Sequence, residues 1–231
     1  MAINIDDVYQ KVLVLANKEQ RGYITPQEFN LLADQAQMEI FEQYFYDQNQ
    51  ADRNLKNSTE FSNVDEMLDE KISIFKKVGA VAMSGTVGTL PGGSDLYRLG
   101  MVYHPNKGIE LEQLTEEEVL YLNLSPLAKP HFLFPAYVRT SFKSIRTYPA
   151  MGVVSCNYIV KPKTPEWTYV VVNEKALYNP NSNTMHFELH GSEETELVYK
   201  ILSLAGIVIA KPGLGTYADQ QSTAQKTQEK Q

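Results

Sequence analysis

The chain has 231 residues, a formal net charge of −7, and 43% apolar against 21% charged residues. A chain of this length buries roughly 70–75% of the surface it exposes when unfolded, so it needs no disulfide or metal staple, and these globular proportions exclude wholesale disorder. The single cysteine, Cys156, excludes an intrachain disulfide and a multi-cysteine zinc site, and the acidic balance argues against sequence-independent grip on phosphates, which needs clustered Lys and Arg.

No basic region followed by an apolar run opens the sequence, so no signal peptide is expected. The most apolar stretch, Leu197 to Ala210, is interrupted by Lys200 and Ser203 and falls short of the ~20 residues that span a bilayer. The expectation is a soluble protein made in the cytoplasm.

The first third reads as helical. Ile5, Val8, Tyr9, Val12, Leu13, Leu15 and Ala16 recur at helical spacing and predict an amphipathic helix over about residues 4–18, broken by Gly22. Thr25-Pro26-Gln27-Glu28 is a helix start, with Thr25 as N-cap, Pro26 at the first helical position and Glu28 completing a capping box. The helix that follows places Phe29, Leu32, Ala33, Ala36, Ile40, Phe41 and Tyr44 on one side. Asp47 to Asn57 is polar and reads as helix extension or loop. Ser62 then caps a third helix whose stripe is Val64, Met67, Leu68, Ile72 and Phe75.

After Lys77 the texture changes to strands. Val78–Met83 and Leu96–Tyr103 are joined by a glycine-rich segment, Ser84 to Ser94, read as a hairpin or lid loop. Ile109–Leu114 alternates with period two, as an edge or half-exposed strand does. Thr115-Glu-Glu-Glu118 is a second capping box and opens a short helix through about Leu124. Further strands are expected near 132–139, 142–148, 153–160, 168–172 and 184–189. Ser192-Glu-Glu opens the last helix, with acidic residues at its positive end, and the polar stretch from Lys211 is expected to be disordered in the isolated chain.

The expected fold class is therefore α+β. A helical region occupies 1–78 and a mainly antiparallel β region 79–191, with a short helix near 115–124. A C-terminal apolar helix over 192–210 and a flexible tail over 211–231 complete the chain.

Several patterns resemble chemistry. Asn17 to Glu28 mimics a calcium loop with Gly22 at its sixth position, but Asn17 replaces the first carboxylate and Arg21 puts a cation at the fifth. Gly22 as helix terminator and Glu28 as cap explain the same residues. His186-Phe-Glu-Leu-His190 on a strand would send His186, Glu188 and His190 to one face, a set able to hold a metal, and Met185, Phe187 and Leu189 to the other. The simpler reading is one buried and one solvated face. The Gly85–Gly93 turn lacks the Gly-Lys-Ser/Thr ending of a phosphate loop, Glu116–Glu118 is a solvated helix start, and Cys156 reads as a buried, inert thiol. No catalytic, cofactor-binding or metal-binding residue is assigned. The last helix is apolar nearly all round, which leaves two readings: a central helix covered within the chain, or one that meets a neighbouring subunit.

Three groups of residues carry a resemblance. Leu15 to Asn30 with Ala36 to Phe45 resembles the opening of structural proteins of tailed bacteriophages, including crAss-like podoviruses. Ile145-Arg-Thr-Tyr-Pro149, Tyr158-Ile-Val-Lys-Pro162 and Pro165-Glu-Trp167 look like a strand pair of phage connector and adaptor proteins, and Phe187 to Glu194 is similar to the closing portion of that group. The resemblance implies a virion protein without catalytic residues or cofactor. It would form a homo-oligomeric ring or adaptor below the portal, contacting the portal and other tail or connector proteins, with DNA passing through without specific binding and no membrane involved. The alternatives are a metal-dependent enzyme using His186, Glu188 and His190, or a monomeric virion cargo or host-interaction protein.

Overall fold

The computed structural model describes residues 3–18, 24–53, 64–180, 183–208, 220 and 223. The protein is α+β. Packing divides it into two units, Phe75–Lys161 and the combination of Met1–Ile74 with Pro162–Gln231. This differs from a division by secondary-structure type, because residues 162–191, expected with the β region, pack with the helices. The expected tail, apart from Gln220 and Thr223, lies outside the described residues, as do Gly22 and Ser62.

The first unit contains α1 (Ile5–Lys18), α2 (Pro26–Arg53), α3 (Val64–Ser73) and α5 (Glu194–Val208). The capping box at Thr25 is formed: the Thr25 N–H donates to Glu28 Oε2 at 2.9 Å and the Glu28 N–H to Thr25 Oγ1 at 3.3 Å. Two backbone donors that a helix start leaves orphaned are thereby satisfied. Along α2 the buried positions include Phe29, Ala33, Ala36, Gln37, Ile40, Phe41, Tyr44 and Phe45, mostly at the spacing of one helical face, while Leu32 of the expected face is half-buried. On α3 most of the expected stripe holds: Leu68 and Ile72 are buried, as is Phe75 just beyond the helix end, while Met67 is exposed and the side chain of Val64 lies outside the described residues.

Helix α5 packs against both α1 and α2. That arrangement buries Leu197, Val198, Ile201, Leu202 and Ala205 within the chain itself. Each large side chain so buried stabilises by roughly 1.5–3 kcal/mol. Of the two readings of this apolar helix, the described part follows the central one.

The segment from Pro162 onward threads through this unit. Trp167 is held on three sides: its N–H donates to Asn30 Oδ1 at 2.9 Å, its carbonyl accepts from Asn30 Nδ2 at 3.3 Å, and its indole N–H donates to Asp6 Oδ1 at 2.9 Å. The buried amide of Gln37 donates to the Lys163 carbonyl at 2.8 Å and accepts the Glu188 N–H at 3.1 Å. These bonds explain why 162–191 belongs with the helices. Two strands, β9 (Tyr169–Val172) and β10 (Lys175–Tyr178), form a separate hairpin. Its two-residue turn has φ of 51° at Asn173 and 62° at Glu174, positive at both central positions as a hairpin matched to strand twist requires.

The second unit is a sheet of β1 (Lys76–Ser84), β2 (Val87–Thr89), β3 (Leu96–His104), β4 (Ile109–Glu110), β5 (Glu112–Leu114), β6 (Ala136–Ser141), β7 (Ser144–Tyr148) and β8 (Val154–Val160), with α4 (Glu116–Leu124) between β5 and β6. The hydrogen-bonded order is β4-β3-β8-β1-β2-β7-β6-β5. Its two ends, β4 and β5, are separated in sequence by Leu111 alone. The Leu111 N–H donates to the Val102 carbonyl at 2.8 Å, and the Glu112 N–H to the Pro135 carbonyl at 3.0 Å. Ile109–Leu114 is therefore a single corner strand that pairs to both sides and closes the sheet into a small barrel, not the edge strand its alternation suggests.

Closure also explains the one parallel pairing, β5 with β6. With β4 and β5 taken as one, seven strands go round the ring, and strand direction must return to its starting sense. That requires an even number of reversals, so one of the seven junctions must be parallel; the other six are antiparallel. Strand β1 is the second corner, pairing with β8 through Val81 and with β2 from Ala82.

The interior is filled by Val81, Leu90, Leu96, Val102, Leu111, Tyr137, Ile145, Met151, Val154 and Cys156, as expected of so few strands. Close approach sets one glycine: a Cβ on Gly88 would lie 2.5 Å from Met83 Sδ and 2.6 Å from Val81 Cγ1. Strand β2, inside the glycine-rich segment read as a loop, thus depends on a residue type that usually marks turns.

Candidate interaction surfaces

The residues with the strongest chemical pattern have structural partners. His186 is exposed, and its Nδ1 accepts the Ile5 N–H at 3.3 Å. Glu188 Oε2 accepts the Lys163 N–H at 3.0 Å. His190 Nδ1 accepts the Ser192 N–H at 3.3 Å, capping the short 3-10 helix Gly191–Glu193. Phe187 and Leu189 are buried, so the alternation of faces is as expected. The expected strand over 184–189 is not formed as such. Its pairing is limited to isolated bridges from Phe187 to Ile3 and from Met185 to Glu166, because the segment binds helix-unit backbone rather than a sheet. Among the described residues no three His, Cys, Asp or Glu side chains are grouped to hold a metal ion.

The other patterns resolve similarly. Glu28 serves its capping box, and that bonding holds its carboxyl below the ordinary range. Glu118 repeats the device with Thr115. Cys156 is buried in the barrel core, where burial pushes its thiol up to about 11 and leaves it a weak nucleophile at neutral pH. Lys71 Nζ lies 2.6 Å from the buried Glu193 Oε1, joining the last turn of α3 to the 3-10 turn that leads into α5. An apolar groove of about 460 Å³ between α1 and α5 is lined by Val14, Leu15, Val198 and Tyr199, and is spanned by the Lys11–Glu194 ion pair.

What stands out is apolar surface left exposed among the described residues. Helix α4 is fixed by its N-terminal capping box and buries Val119. Leu120, Tyr121 and Leu124 turn outward, followed by Leu127 and then Phe132, Leu133 and Phe134. These seven residues are 56–98% exposed. Three of the seven are aromatic, at about 150–250 Å² each, and four are leucines, at roughly 100 Å² each, so their summed exposed area is on the order of 800 Å². The stretch is anchored at its end by an antiparallel bridge between His131 and Phe134, whose ring centroids lie 5.2 Å apart.

The first unit has its own exposed surface on the β9–β10 hairpin. Val170, Val171, Val172 and Leu177 are 45–63% exposed. Three consecutive valines send side chains to both faces of the ribbon. The base of the hairpin is held by Tyr169 and Tyr178, which stack on Trp167 at centroid distances of 5.6 and 6.0 Å.

Neither surface was singled out by sequence reasoning, which looked for surplus apolar area on the last helix. Two signals were available. Val119-Leu-Tyr-Leu122 and Leu124 carry apolar residues round more of the helix than one barrel face can cover. Phe132-Leu-Phe134 stands between Pro130 and Pro135, and proline cannot donate to a ladder, so the intervening residues are displayed rather than woven in.

No protein-family model matches the chain, and no curated protein matches its sequence. Among the described residues no helix is long and apolar enough to cross a membrane.

Proposed function

We propose that the chain is a structural component of a tailed-phage virion, an oligomeric ring or adaptor of the head-to-tail connector below the portal. Its neighbours would be sister copies, the portal and other tail or connector proteins. The observation that carries this reading is the pair of unlike exposed apolar surfaces, one on each unit. A ring generated by rotation needs two different, complementary surfaces on every copy, and an interface of standard size takes about 800 Å² from each partner.

Two further features support it. The engaged partners of His186, Glu188 and His190 favour positioning over chemistry. The net charge of −7 suits a conduit that must release DNA. Because side chains fill the barrel, the genome would run between copies rather than through any one of them.

The test is light scattering and negative-stain microscopy of the purified chain, alone and with portal assemblies, together with localisation in particles. Closed rings of uniform copy number, or ordered decoration of the portal, are expected. A monomer at every concentration that ignores the portal and is missing from particles overturns the reading.

A further inference from the structure

We propose that copies of this chain join head to tail, with the 120–134 surface of one copy covering the β9–β10 hairpin of the next. The inference rests on the reading of the chain as a multi-copy assembly and specifies the contact by which it assembles.

The occupant follows from what each surface lacks. The 120–134 stretch exposes about as much area as one partner contributes to a stable complex, on the order of 800 Å². An isologous pairing of this stretch with itself would cover it but leave Val170, Val171, Val172 and Leu177 in water. A two-stranded ribbon is marginally stable in water by itself. Here only its base is stacked, on Trp167, while the valines beyond that base have no covering layer among the described residues.

The two surfaces are unlike in shape class, a helix with its following loop against a narrow ribbon, which is the condition for a heterologous contact. Their rims also carry opposite charges that can be matched. Exposed Glu116 and Glu117 stand at one end of α4 and exposed Lys129 beyond its other end, while the hairpin tip carries exposed Glu174 followed by Lys175. Charges of both signs are thus available on both rims for a heterologous contact.

A head-to-tail joint makes a distinctive prediction for mixtures. Leu127→Glu disables one surface and Val171→Glu the other. Each variant alone should lose self-association by on the order of 100-fold or more and run as a monomer in light scattering. Mixed in equal amounts, the two retain one good joint, between the hairpin of the first and the intact 120–134 surface of the second, so the mixture should form dimers and stop there. Far-UV circular dichroism and a melting curve establish that each variant is folded. Val171→Thr, which keeps the β-branched shape, serves as a milder second hairpin variant.

If Val171→Glu alone assembles like the parent chain, the hairpin is not in the joint and the inference fails. If Leu127→Glu alone does so, it fails equally. Folded variants that are monomeric singly and remain monomeric when mixed also overturn it, because a head-to-tail joint must reform. In all of these outcomes a parent chain that still forms rings leaves the virion reading standing, whereas a parent chain that is monomeric and ignores the portal removes both.

Discussion

Helices α4 and α5 are both rich in leucine and other apolar residues, yet their surroundings are opposite. In α5, Leu197 and Ile201 have no exposure, because α1 and α2 lie against it. In α4, Val119 is buried while Leu124 is 81% exposed. Apolar composition identifies segments that require cover. It does not identify the molecule that provides it, and that depends on which elements the topology brings alongside.

The sharpest way to break the comparison is a charge on the covered helix. Ile201→Glu places a carboxylate among Leu197, Leu202 and Ala205 with no paired cation. The expected loss, measured by urea unfolding, is on the order of 4–5 kcal/mol. A loss under about 1 kcal/mol would mean that α5 is no more enclosed than α4.

The features legible in the sequence were those written within a few residues. The capping boxes Thr25–Glu28 and Thr115–Glu118 are local bonds across three positions, and both form. Most of the α2 stripe, Leu32 apart, and the alternation at Phe187 and Leu189 were read correctly because burial there follows the period of the backbone. What was not legible depends on partners distant in the chain. Nothing near Leu111 announces that the residues before it pair with β3 and those after it with β6. Nothing near Trp167 announces Asn30 or Asp6, which lie 137 and 161 positions away. The same ignorance left open whether α5 is covered by its own chain or by a neighbour, and passed over α4 and the hairpin.

Those long-range bonds give the second prediction. Trp167→Phe removes the indole N–H that reaches Asp6 and reduces the ring that Tyr9, Tyr169 and Tyr178 pack on. A stability loss of about 1–3 kcal/mol is expected, with the hairpin losing amide protection ahead of the barrel. Equal loss of protection in β9–β10 and in β1–β8 would show that the stack does not anchor the ribbon.

A smaller effect tests the cap that presents α4. Thr115→Ala should cost about 1 kcal/mol. Because its bonds to Thr115 lower the Glu118 carboxyl in the folded protein, the contribution of Glu118 is present above the unfolded carboxylate value. It is lost as the pH falls through the lower, folded one. Melting curves of parent and variant should therefore be separated at neutral pH and converge in acid. A separation that persists unchanged below both values would assign the effect to helix propensity and not to the carboxylate.

The smallest expected effect lies on the exposed helix's own flank. Leu127 is 98% exposed, so the carboxylate of Leu127→Glu stays hydrated and displaces no packed neighbour. Stability of the monomer should change by no more than about 0.5 kcal/mol, about a tenth of the expected Ile201→Glu loss, although both substitutions place the same charge in a leucine-rich stretch. Solubility should respond instead, since removing one exposed leucine from a surface on the order of 800 Å² lowers its tendency to stick nonspecifically. A loss of several kcal/mol in the variant monomer would mean that Leu127 is covered within its own chain in solution, and the 120–134 surface would then no longer be available to a partner.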